Sequence, residues 1–244
     1  MIATLPMYDR PETQAANDIF WTAIRTELGH GPGALTRAAD LWPLWCAPDL
    51  LLGQTCGLPY RTRLHDRVQL VGTPDYGITG CPPGHYRSLF ITRDATATLS
   101  GLNGHRFAYN EPLSQSGWAA PALHMAQTGL SFGPLLQTGA HRASALAVHQ
   151  GRADFAALDA LTWALIKEHD SFAADLHVIA ATTPTPGLPL ITAPGRDTDT
   201  LFRAVATAID ALSPEIRDTL HLKGLVRISA AAYLAMPTPP PPTA

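Results

Sequence analysis

The stretch Asn110-Glu111-Pro112-Leu113-Ser114-Gln115-Ser116-Gly117-Trp118-Ala119-Ala120-Pro121 decides how this chain is read. It follows the apolar run Arg106-Phe107-Ala108-Tyr109 and leads into residues 118–127, which suit a helix. Ser114 takes the N-cap position. The first N–H groups of a helix have no internal partner and the dipole is positive at that end, so two serines flanking Gln115 make a compact receptor for anionic oxygens. Serine at an N-cap is also ordinary helix chemistry, and the stretch gains its weight from a second one.

That second segment runs from Thr138 to Asp159. Gly139 punctuates a loop, and Ala143, Leu146, Ala147 and Gln150 recur at helical spacing. Gly151 stands where a helix ends, and residues 155–158 read as a short buried strand that delivers Asp159 at its carboxyl end. Open α/β sheets bind ligands at such strand ends.

Together the two segments resemble the phosphate, phosphite and phosphonate substrate-binding proteins of ABC transporters, a family with the type II periplasmic-binding-protein fold. In that family a Ser-x-Ser-Gly helix start, a Gly-x-His lead-in to the next helix and an Asp after the following strand line one cleft. The matching positions are Ser114, Gln115, Ser116 and Gly117, then His141, then Asp159. The likeness continues in the opening strand with Tyr8, in the strand at 48–52 that leads to Gln54-Thr55-Cys56-Gly57, and in the return segment Pro186-Gly187-Leu188-Pro189-Leu190. Gln115 departs from it. The family more often has a small hydroxyl residue there, so one hydroxyl contact becomes a carboxamide and the choice of anion stays open.

The resemblance implies an α/β, two-lobed type II periplasmic-binding-protein-like fold, each lobe a central mostly parallel sheet flanked by helices, with two hinge crossings. The ligand is then expected between lobes. Ser114, Gln115, Ser116, the backbone N–H groups near Gly117, and His141 supply donors from the second lobe; Tyr8, Gln54, Thr55 and Tyr76 are expected from the first. A bound dianion favours the His141 imidazolium, so affinity is expected to fall at high pH. Asp159 accepts a proton still carried by the ligand, orients His141, or binds the ammonium of a zwitterionic phosphonate; the sequence does not choose among these. Ser116 and His141 are expected to face solvent in the open form.

Composition bounds the remaining possibilities. With 46% hydrophobic and 15% charged residues in 244, the chain has ample material for a core, in one large domain or two lobes. A net charge of −3 and the lack of a Lys/Arg-rich run leave no footprint for nucleic acid. No apolar stretch approaches the roughly 20 residues of a membrane span, so no membrane insertion is expected. The start Met1-Ile2-Ala3-Thr4-Leu5-Pro6-Met7-Tyr8 shows no export signal, which reads as cytoplasmic as written and as periplasmic if the chain is a trimmed mature form.

Three cysteines, Cys46, Cys56 and Cys81, exclude a multi-bridge scaffold. In an exported protein Cys56 and Cys81 can pair; in a reducing cytosol they are thiols. The ten histidines are scattered, without Cys-x-x-Cys or paired helical histidines, so no metal and no cofactor are expected.

Along the chain, Asp9 and Glu12 form a capping-box pattern ahead of an apolar stripe at Ala16, Ile19, Phe20, Ala23, Ile24 and Leu28, which Gly29 ends. Residues 35–45 suit a second helix, and strands are expected at 49–52, 68–72 and 86–92. This organisation reads as lobe 1 at 1–93, lobe 2 at 94–185, a return to lobe 1 at 186–236, and a Pro-rich tail at 237–244 that is poorly ordered and packs little. Trp42, Trp45, Trp118 and Trp163 offer material for an aromatic wall. The function implied is a non-catalytic solute-binding protein that closes around a small oxyanion such as phosphate, phosphite or an organophosphonate, with ABC-transporter membrane subunits as partners or as a ligand sensor. Beside it stand an enzyme on the same fold using Cys56 with His85 or His141, and a regulatory ligand-binding domain acting through a partner.

Overall fold

Short apolar runs bounded by glycine and proline form the strands of this protein, and the amphipathic runs between them form its helices. The computed structural model describes residues 1–243. In chain order the strands are β1 (Ile2–Thr4), β2 (Leu50–Gln54), β3 (Gln69–Asp75), β4 (His85–Tyr86), β5 (Ser88–Thr92), β6 (Phe107–Tyr109), β7 (Leu135–Gln137), β8 (Phe155–Asp159), β9 (His177–Ala181), β10 (Thr185–Pro186), β11 (Leu190–Thr192) and β12 (Gly224–Val226). One sheet has the order β1-β2-β11-β3-β12, a second the order β7-β6-β8-β5-β9, and β4 pairs with β10.

Both large sheets are mixed. In the first, β1 and β2 are parallel, β11 is antiparallel to β2 and to β3, and β12 is antiparallel to β3. In the second, β7, β6 and β8 are parallel, and β5 is antiparallel to both β8 and β9. Most strands of each sheet therefore point one way, as expected, but the ladders around β11 and β5 are antiparallel. Each of these reversed strands follows directly on a crossing of the chain, and each lies between two others rather than at an edge.

The chain divides into unit 1, Met1–His85 with Pro186–Ala235, and unit 2, Tyr86–Thr185 with Met236–Ala244. In unit 1, helices Gln14–Leu28 and Thr198–Ala211 pack Phe20, Trp21, Ile24, Val205 and Ile209 on one core, while Leu50, Tyr60, Leu64, Ile191 and Tyr233 form another. In unit 2, β8 is buried at every position and shows the period-two logic of a strand. Phe155 and Ala157 join Phe90, Phe107, Trp118 and Met125, whereas Ala156 and Leu158 join Ile91, Ala145, Val148 and Ile166.

Several expectations are corrected. The first crossing falls at 85/86 rather than 93, because β5 pairs along its whole length with β8 and from Leu89 to Thr92 with β9. The first helix begins at Gln14 with Thr13 as its cap residue, and Asp9 bonds Asn17 and Arg37 instead of forming a capping box. Only Trp42–Trp45 of the helix expected at 35–45 is helical. The proline-rich tail does pack: residues 236–244 group with unit 2, making a third crossing, and the Pro240 carbonyl accepts a 3.0 Å hydrogen bond from Trp118 Nε1. The tryptophans form no single wall, since Trp42 and Trp45, Trp118, and Trp163 belong to three different clusters.

The return crossing is fixed within unit 1. Gly187 N donates to the Gly84 carbonyl at 2.8 Å, and the Gly187 carbonyl accepts from Tyr233 Oη at 3.0 Å, with Thr73 Oγ1 at 2.7 Å from the same phenol. A Cβ on Gly187 would stand 2.6 Å from the Gly84 oxygen and 3.3 Å from Thr73 Cγ2. Gly187→Ala is therefore expected to destabilise the protein by about 1–3 kcal/mol, the usual cost of overpacking. Urea unfolding checks this, and an unchanged midpoint would show that the crossing gives way freely.

Candidate functional site

Strand β6 ends at Tyr109, and the chain turns through Asn110 to a helix capped by Ser114. Ser114 Oγ accepts the Gly117 N–H at 2.9 Å. One π-helical turn, Gln115–Ala119, precedes the regular helix Ala120–Gln127, and such turns are frequent at functional sites. The Trp118 and Ala119 amides bond the Ser114 carbonyl at 3.2 and 3.0 Å. This corrects the expectation for the amides around Gly117: they are engaged inside the turn.

His141 is brought to this turn by pairing of the backbone. β7 runs parallel to β6, and the ladder is prolonged by Thr138 N to the Tyr109 carbonyl at 2.9 Å and Gly139 N to the Asn110 carbonyl at 2.8 Å. His141 is thus the first residue of helix His141–His149, whose cap residue Ala140 makes no side-chain hydrogen bond. Ser116 Oγ and His141 Nε2 lie 2.9 Å apart.

Asp159 arrives from the end of β8 and caps helix Ala160–His169. Its Oδ1 accepts from Thr162 N at 2.8 Å and its Oδ2 from Thr162 Oγ1 at 2.6 Å. Oδ2 is also 3.6 Å from His141 Nε2. Three helix starts therefore meet around one imidazole, and their dipoles sum to a positive potential there. Ser116 and His141 are expected from the sequence to face solvent, but Ser116 is buried and the His141 side chain is only 15% exposed; Asp159 is buried as well.

Gly117 is what permits the approach. A Cβ there would collide with Asn110 Oδ1 and come within 3.1 Å of His141 Cε1. Asn110 Oδ1 is buried with no hydrogen-bond partner, which makes Asn110 a site residue that sequence reasoning passed over. Its only signal was a position just past an apolar run.

In unit 1, three of the four predicted residues meet. Gln54 Nε2 donates to Tyr76 Oη at 3.0 Å, and the Tyr76 ring packs edge-on against Tyr8 with centroids 5.2 Å apart. Thr55 is fully buried with its hydroxyl unpaired, while its N–H bonds the Pro189 carbonyl at 3.0 Å. All three cysteines are free thiols, and Cys56 is buried beside Tyr233. No group of three or more His, Cys, Asp or Glu side chains able to hold a metal occurs among the described residues.

A protein-family comparison matches residues 53–233 to the phosphonate periplasmic substrate-binding proteins of ABC transporters. The chain belongs to that family. Among solved structures, a binding-protein component of an ABC phosphonate transporter from Pseudomonas aeruginosa gives a TM-score of 0.76 at 16% identity, over 96% of this chain and 82% of that one. PhnD1 from Prochlorococcus marinus (MIT 9301), in complex with methylphosphonate, gives 0.73 at 15% identity, over 95% and 93%. XAC2383 from Xanthomonas citri bound to ATP gives 0.66 at 18% identity, over 95% and 92%. No curated protein matches the sequence. The fold is thus the type II periplasmic-binding-protein fold, and the family is one of solute-binding proteins rather than enzymes.

The geometry agrees with a binding role. In a hydrolytic Ser-His-Asp triad the carboxylate holds one ring nitrogen while the serine uses the other. Here Ser116 and Asp159 both face Nε2, so the carboxylate does not hold the opposite ring nitrogen as a triad requires.

Two outcomes follow for stability. Gly117→Ala is expected to push Asn110 and His141 off the helix start at a cost of about 1–3 kcal/mol, visible in chemical denaturation. Burial also holds the His141 pKa below its ordinary 6.5, against the opposing pull of the Asp159 carboxylate and the Ala157 carbonyl. Just below that value the unfolded chain binds more protons than the folded one, so the stability contribution is complete above pH 6.5 and is lost as the pH falls. Replacing His141 by Gln is expected to shrink the drop in Tm between about pH 7.5 and about pH 5; an unchanged drop would place the acid sensitivity elsewhere.

Proposed function

We propose that this chain binds a small phosphonate-class oxyanion at the Ser116–His141 pair of unit 2 and delivers it to the membrane subunits of an ABC transporter. The observation that carries this reading is the 2.9 Å contact between Ser116 Oγ and His141 Nε2, at the convergence of three helix starts. The relative from Prochlorococcus marinus, solved with methylphosphonate, supports the ligand class.

The pair has two states with different donor sets. A neutral ring that carries its proton on Nδ1 accepts the Ser116 hydroxyl proton at Nε2, so neither group is free to serve an anion. The imidazolium donates from both nitrogens, which turns Nε2 into a donor and releases the Ser116 O–H toward a ligand oxygen. Burial keeps the ring neutral in the free protein, and a dianion supplies the opposite charge that reverses this. Binding therefore takes up a proton at His141. Asp159 favours the charged ring and, by capping the next helix, holds its own carboxylate in place.

Calorimetry with methylphosphonate tests the reading. A hydrogen bond to a charged group contributes about 1.5–3 kcal/mol, so Ser116→Ala and His141→Gln are each expected to weaken binding by about 10- to 100-fold. In wild type the affinity is expected to fall as the pH rises and the heat to depend on buffer ionisation; His141→Gln removes the protein's share of that proton uptake. Equal affinity in wild type and both variants removes the pair from the site.

A further inference from the structure

The stretch Met236-Pro237-Thr238-Pro239-Pro240-Pro241-Pro242-Thr243 carries an unusually definite conformation for a tail. Each proline ring fixes its own φ near −65°, and each residue that precedes a proline is driven to an extended ψ. Residues 239–241 meet both conditions, and the described residues contain no cis peptide bond. The result is a polyproline II helix, with three residues per turn and no internal hydrogen bonds.

Its burial has that same period. Met236, Pro239 and Pro242 are half-buried, while Pro237, Thr238, Pro240, Pro241 and Thr243 are exposed. One edge of the three-sided helix thus faces the protein. The carbonyls of such a helix have no internal partner, and the Pro240 carbonyl takes the indole proton of Trp118 at 3.0 Å. Trp118 is itself buried, and its ring is flanked by Tyr109 at 5.4 Å and Phe132 at 5.7 Å between centroids. A buried indole N–H requires an acceptor, and aromatic-lined surfaces of this kind recognise polyproline helices.

We propose that Trp118 is the centre of a polyproline-binding seat on unit 2, filled in cis by the chain's own C-terminal residues, and that the seated tail braces the helix start that carries Ser116. Trp118 is two residues beyond Ser116 and adjacent to Gly117, so a force on the indole acts on the turn whose Gly117 amide Ser114 caps. The proposal concerns the protein without ligand and does not depend on which anion it binds.

The test is amide and indole hydrogen exchange followed by NMR, on the full chain and on a variant ending at Ala235. One hydrogen bond of about 0.5–1.5 kcal/mol corresponds to about 2- to 10-fold in an equilibrium. The Trp118 indole proton is expected to exchange faster by at least that factor in the shortened chain, with the Gly117 and Trp118 amides following. A synthetic peptide of residues 236–244 is expected to restore the indole shift in trans, and the same peptide with Pro239→Gly and Pro242→Gly is expected to bind at least about fivefold more weakly. If the shortened chain fails to fold, the same two glycine substitutions in the full chain take its place. Indole exchange and shift identical in all variants, or equal binding of the two peptides, overturns the proposal.

Discussion

Strand β11 lies between β2 and β3, antiparallel to both, and the sheet of unit 1 cannot be completed without it. Leu190 sits opposite Gln54 on one side and Gly72 on the other, and Ile191 opposite Gly53 and Leu70. The chain delivers this strand only after all of β5 to β10 has been made. The central ladder of unit 1 is therefore built from pairings across a long stretch of chain, which carry a closure entropy that the local pairings do not. Unit 2 has no such dependence: its five-stranded sheet comes from one continuous stretch, β5 to β9. The asymmetry explains why contacts that fix the return path, Gly187 against Gly84 and Tyr233 against Thr73, are buried and tightly made.

Within unit 2 a second constraint acts on a smaller scale. Parallel pairing of β6 with β7 and β8 sends three loops out at the same end of the sheet, and each loop opens a helix. This is the general arrangement by which parallel sheets bind ligands at their carboxyl edge. What makes it specific is the missing side chain of Gly117, which leaves room for the Asn110 carboxamide and the His141 ring against the helix start. The positive potential of three helix ends is opposed by the carboxylate of Asp159. In the proposed binding role, protonation of the His141 ring adds the positive charge that an anion would meet.

Much of this was legible in the sequence, for identifiable reasons. Ser114 caps its helix, Gly151 follows the helix His141–His149 with φ at +73°, and Asp159 stands at the end of a buried strand, because capping, left-handed glycine and strand termination are local events. Nonlocal facts were not legible. That Gln54 reaches Tyr76 and that Ser116 meets His141 depend on packing between segments more than twenty residues apart, and that Asn110 lies over Gly117 depends on how the intervening turn closes. The tail failed for a different reason. Its composition predicts no core, and it has none, but a polyproline helix needs only an aromatic donor to dock, and Trp118 supplies one.

The fold alone does not choose the guest, since structural relatives of similar TM-score hold methylphosphonate in one case and ATP in another. The shared chemistry of those two guests is a phosphorus atom bearing anionic oxygens. Size and the remainder of the molecule must be read by other groups. Gln115 and Asn110 are the candidates in unit 2, because both are buried carboxamides beside the serine–histidine pair, and a carboxamide can donate or accept with equal ease. Asn110 has the stronger physical claim. Its buried oxygen carries no hydrogen bond, a state that costs about 1–3 kcal/mol and that a donor on an incoming ligand would relieve. For the proposed anion, a carboxylate in the same place would be repulsive and an aliphatic side chain would offer a ligand donor nothing, whereas a carboxamide can accept a hydrogen bond without adding negative charge.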